Sequence, residues 1–107
     1  MKPETHEYWN KALSLIKNAE KLYKDKKNDE AEEQALLALI KGISAMIKLS
    51  RELGIDDLST IAWNALQEHF DRTKKGHYTP KETIEWVRKV LKRLSDELTP
   101  YGFKPFE

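Results

Sequence analysis

The residues best able to do chemistry in this chain are Arg72-Thr73-Lys74-Lys75-Gly76-His77-Tyr78, seven consecutive positions rich in cations and a histidine. An arginine grips a phosphate through a planar fork of donors, and a histidine moves a proton near neutral pH. Together they suffice in principle to cleave RNA without a metal. His77 takes the proton from a ribose 2′-OH or gives one to the leaving 5′ oxygen, while Arg72 stabilises the charge of the crowded phosphorane. DNA lacks the 2′-OH and is not cut this way.

Geometry sets a condition on this pair. Residues five apart on a straight helix are rotated by roughly 140° from one another, so Arg72 and His77 share a side only if the helix breaks between them. Gly76 is suited to make that break. His69 stands three residues before Arg72, at the spacing that places two side chains on one helix face, and the sequence leaves open which histidine lies nearer. The spacing alone says little: roughly 0.3 such Arg-to-His pairs are expected by chance in a chain of this composition. A helix C-terminus also collects Arg, Lys and His because its dipole favours cations.

Context strengthens the functional reading. From Asp71 to Arg93 the chain carries eight Lys or Arg against three acids, although its net charge is only +1. Lys74, Lys75, Arg88, Lys89 and Lys92 are therefore candidate RNA contacts, the last three forming with Arg93 a basic stripe on one helix. Tyr78 and Trp86 are aromatic groups on which a base could stack. The competing explanation of the stripe is a solvated helix face.

Other chemistries are excluded by residue type. With no cysteine there is no zinc ribbon, disulfide or thiol nucleophile. His6, His69 and His77 form neither a His-x-x-x-His pair nor the repeated Glu-x-x-His of di-iron bundles, so no metal is implied, and no other cofactor. Gly42, Gly54, Gly76 and Gly102 are isolated, which removes the glycine-rich phosphate loop. No strand is expected that could support a nucleophilic serine elbow.

The elements that must position the Arg-His motif read as helices throughout. Four segments carry apolar residues every three or four positions. The first spans about Glu4 to Lys24, with Pro3 at its start. The second begins at a D-x-x-E capping box, Asp29 to Glu32, presents Ala31, Ala35, Ala38, Gly42, Ala45 and also Leu53 on a packing face, and ends at Gly54. The third starts near Asp56 to Ser59, carries Leu58, Ile61, Ala62, Ala65, Leu66 and Phe70, and stops before Gly76. The fourth opens on Thr79-Pro80-Lys81-Glu82, a threonine cap with proline at N1 and glutamate at N3, and closes at Pro100. Short connections favour antiparallel neighbours. The expected architecture is a single all-α domain, an antiparallel up-down four-helix bundle with its core at about 4–98 and a short extended tail at 99–107. At 107 residues the chain supports one core. Its longest apolar run, Ala35 to Ile40, is far short of the ~20 residues that span a bilayer, and residues Met1 to Trp9 lack a signal-peptide h-region. The expectation is a soluble cytoplasmic protein with no membrane contact.

Two stretches resemble the HEPN superfamily of small helical domains. One is AEEQALLALIKGISAMIKLSRELG at 31–54, similar to the alanine-rich second helix of those domains. The other is RTKKGHY at 72–78, which fits the family's signature of an arginine, four to six residues, and a histidine. The resemblance implies a bundle that homodimerises with both Arg-His motifs lining one cleft, which in catalytic members is a metal-independent endoribonuclease site. Such members often belong to toxin-antitoxin or antiviral systems, so a cognate antitoxin is an implied partner. Carried onto this chain, Arg72 binds the scissile phosphate and His77 is the general acid or base. The chain departs from the pattern at Thr73, where many active members have an asparagine, and at Lys74-Lys75, where an apolar anchor is expected. The rival reading is a non-catalytic interaction module, for instance a partner subunit of a nucleotidyltransferase, motivated by the small-residue face of the second helix and the apolar tail with Phe103 and Phe106.

Overall fold

A computed structural model describes residues 2–107, and among them the chain is all-helical, with four long helices and no strand. They are α1 (Pro3–Lys24), α2 (Asn28–Leu53), α3 (Asp56–Lys75) and α4 (Pro80–Leu98), followed by a single 3₁₀ turn, Thr99–Tyr101. The periodic apolar residues become one core, which runs from Trp9 and Ile16 on α1 through Leu39 and Met46 on α2 to Val87, Leu91 and Leu94 on α4.

The small residues of α2 explain why that helix is central. Ala31, Ala35, Ala38, Gly42 and Ala45 are all buried in the chain's own core, so the face that looked free for a partner is already covered by α1 and α4. The closest approach is at Gly42: a Cβ placed there would stand 2.7 Å from Leu91 Cδ2 and 3.4 Å from Trp9 Cζ3. Leu53 and Phe70 depart from the expectation. Both stand half-exposed, Leu53 because it falls in the last turn of α2, and Phe70 because α3 turns its opposite flank toward α4.

Local signals at helix ends are mostly realised. Gly54 adopts the left-handed conformation (φ 67°) that closes α2, and the Ile55 amide returns to the Ser50 carbonyl at 3.1 Å. At the start of α4 the Glu82 amide donates to Thr79 Oγ1 and the Thr79 amide donates to Glu82 Oε1, a complete capping box. The capping box expected at Asp29 and Glu32 is not formed. Helix α2 begins two residues before that cap would allow, at Asn28, with no side-chain cap at Lys27. The turn before it dictates the entry: Lys26 takes a left-handed conformation (φ 62°) and the Lys27 amide donates to the Leu22 carbonyl at 2.9 Å.

Two connections were not legible locally. Glu52, in the last turn of α2, accepts from Thr5 Oγ1 at 2.8 Å and from the Lys2 amide at 3.2 Å, so a carboxylate from another helix serves the open amides at the start of α1. The tail folds back along the bundle. Phe103 and Phe106 are buried, the Trp9 indole donates to the Lys104 carbonyl at 2.7 Å, and the Phe106 amide donates to Ser95 Oγ at 2.7 Å. Phe103 also stacks on His6, with ring centroids 4.1 Å apart. The tail aromatics are thus core residues and not a free docking element.

Candidate functional site

The end of α3 and the start of α4 place Arg72 against two aromatic rings. Its guanidinium carbon lies 3.7 Å from the centroid of Tyr78 and 4.5 Å from that of Trp86. Tyr78 reaches this position because Gly76, at φ 117° and ψ −139°, breaks α3 and turns the chain back. Trp86 comes from the second turn of α4, whose start is fixed by the Thr79 box. One face of each ring is therefore engaged with Arg72.

One atom of this cluster is anomalous. Arg72 Nη2 is shielded from solvent and has no hydrogen-bond partner. Buried donors are nearly always paired, and leaving one unpaired costs about 1–3 kcal/mol, more for a charged group. Arg72 is among the residues lining a cavity of about 220 Å³, with His69, Thr73, Gly76, His77 and Tyr78 and with Glu32, Leu36, Thr83 and Trp86. Both candidate histidines line it. His69 is half-buried, with its ring stacked near Trp86 at 6.2 Å, whereas His77 is exposed.

Glu32 and Thr83 are the residues that sequence reasoning missed. Glu32 sits 40 positions before Arg72 and reads in the sequence as the closing residue of a capping box, yet it accepts a 3.4 Å hydrogen bond from the buried Thr83 hydroxyl at this cavity. Nothing in its local sequence points toward Thr83 or Arg72. Nearby, Glu82 is held below the ordinary carboxylate range, first by the Thr79 amide and hydroxyl and then by the charge of Arg72.

The basic stripe is separate and largely neutralised. Arg88 pairs with Glu20 and lies over the Phe106 ring, Arg93 pairs with Glu68 at 2.6 Å, and Lys92 approaches Asp96 at 3.9 Å and the Phe106 carbonyl at 3.4 Å. Lys89 has no such acid partner among the described residues. These four line an open groove with Glu68, Glu85, Phe106 and Glu107, and Trp86 is the wall it shares with the Arg72 cavity. Lys74 and Lys75 line neither; they stand exposed on the last turn of α3.

Among the described residues no three His, Asp or Glu side chains gather to hold a metal ion, and no helix is long and apolar enough to cross a membrane. Comparison with protein-family models, with curated proteins and with solved structures returns no match.

Proposed function

We propose that the chain is a HEPN-like, up-down helical domain that acts on RNA, with the Arg72 cavity as a metal-independent endoribonuclease site. The observation that carries this reading is Arg72, whose guanidinium is held against Tyr78 and Trp86 and which lines one cavity with both His69 and His77. A phosphate oxygen in that cavity is an acceptor of the right charge for a guanidinium. In the proposed reaction His77 takes the 2′-OH proton, the 2′ oxygen attacks phosphorus, and the P–O5′ bond breaks to leave a 2′,3′-cyclic phosphate. His69 is the candidate that returns a proton to the 5′ oxygen. Glu32 adds a negative charge at the same cavity that opposes a bound phosphate, so its neutralisation should tighten RNA binding. A toxin-antitoxin or defence setting follows from the resemblance alone.

The test is incubation of the purified protein with tRNA and messenger RNA in excess chelator. Cleavage is expected for the wild type, abolished in H77A and R72A, with cyclic-phosphate ends. Cleavage that persists unchanged in H77A, or that needs magnesium, overturns the mechanism. A second reading, a non-catalytic interaction module, is favoured by a different observation: Trp63 and Phe70 stand half-exposed on α3. It predicts complex formation without RNA turnover.

A further inference from the structure

Among the described residues five large apolar side chains stand exposed, and four of them lie in the middle of α2 and α3: Leu37 (41%), Ile40 (42%), Trp63 (52%) and Phe70 (50%). Single exposed apolar residues are ordinary, but a contiguous set marks a contact surface. On α2 they belong to a stripe, Glu33, Leu37, Ile40, Ser44, Ile47 and Arg51, that advances in alternating steps of four and three residues. That is the seam repeat of two helices packed side by side. The stripe is also self-complementary when reversed. Around position 42, Leu37 falls opposite Ile47, Ile40 opposite Ser44, and the acid Glu33 opposite the base Arg51. Both charged residues are exposed and neither has an ion-pair partner among the described residues.

Helix α3 repeats the pattern with Trp63, Leu66 and Phe70, whose reversal centre lies between positions 66 and 67. The two centres lie at one level along the helices. Leu36 of α2 and Thr73 of α3 meet at one cavity and the two helices run in opposite directions, so position 42 on α2 is level with positions 66 and 67 on α3. One twofold axis therefore pairs both stripes with their own copies at once, as a two-fold dimer interface requires.

We infer that this face is covered by a second copy of the chain, with α2 antiparallel to α2 and α3 to α3 about an axis through that level. This pairing does not depend on the ribonuclease reading and differs from the shared cleft that the HEPN resemblance implies. Arg72 lies on the flank of α3 that faces Trp86 of α4, away from Phe70, so each protomer keeps its own cavity.

Sedimentation of the full chain tests the association, and cysteine pairing tests the register, since the chain has no cysteine of its own. The wild type should sediment at twice its 12.5 kDa mass. E33R or R51E should each raise the dimer dissociation constant about three- to tenfold, and the double exchange E33R/R51E should restore it. A mixture of L37C and I47C should form an intermolecular disulfide that neither variant forms alone, because like positions stand about 15 Å apart along the seam. Three results overturn the inference: a monomeric wild type, a dimer indifferent to the charge exchange, or a dimer in which H77C links to itself while the L37C and I47C mixture does not.

Discussion

Replacing Gly42 by alanine sets two opposed effects against each other at the tightest point of the core. In the middle of a helix the change favours folding by about 1 kcal/mol, since glycine is the costlier residue there. The added methyl, however, would stand 2.7 Å from Leu91 Cδ2, with Trp9 Cζ3 at 3.4 Å and Leu94 Cδ1 at 3.5 Å behind it. Leu91 is fully buried, so its methyl can retreat only by displacing other core side chains. Inserting a methyl into such packing costs about 1–3 kcal/mol. The expected net is a loss of about 1 kcal/mol, or a fall of roughly 4–8 °C in Tm for a domain of this size. Urea denaturation of G42A, L91A and the double variant checks it. L91A alone should cost about 2–5 kcal/mol, and the double variant should be less damaged than the sum by at least about 0.5 kcal/mol, because the clash and the void relieve one another. If G42A gains the full propensity benefit and the two changes add, the close approach of α2 and α4 is not what holds the helices together. The outcome bears on the site, because α2 supplies Glu32 and Leu36 and α4 supplies Thr83 and Trp86 to the Arg72 cavity.

Three further outcomes are expected. T79A removes the half of the capping box in which the Thr79 hydroxyl accepts from the Glu82 amide and should cost about 1 kcal/mol by urea denaturation; T79S should retain most of it. Glu52 is held below the ordinary carboxylate range, chiefly by the Thr5 hydroxyl and then by the Lys2 amide and nearby positive charge. Its contribution is therefore present above the ordinary carboxylate pKa and is lost as pH falls through its lowered value. Stability measured from neutral to acid pH should fall less steeply in E52Q than in the wild type, and parallel curves would remove Glu52 from this role. F106A should cost about 3–5 kcal/mol, the range for a buried aromatic, and a near-neutral result would show that the tail does not complete the core.

The chain by itself determined most of what depends on neighbours within about four residues. Four apolar periodicities became four helices, the Thr79 box and the Gly54 cap formed where their side chains and conformations demand, and Gly76 broke α3 just before His77. The one local signal that failed, the box at Asp29 and Glu32, lost to a turn whose geometry starts α2 two residues earlier. What the folded chain decided is which distant group meets which. The basic stripe looked free because Glu20 and Glu68, its partners, lie 68 and 25 positions from Arg88 and Arg93. The tail and the small-residue face looked available because the helices that cover them could not be seen. At Arg72 the motif, Tyr78 and both histidines could be read from the sequence. The clamp between two rings, the donor left without an acceptor, and the approach of Glu32 and Thr83 could not, because they require α2, α3 and α4 to converge at one corner, and helical spacing fixes which face a residue occupies but not which helix will lie against it.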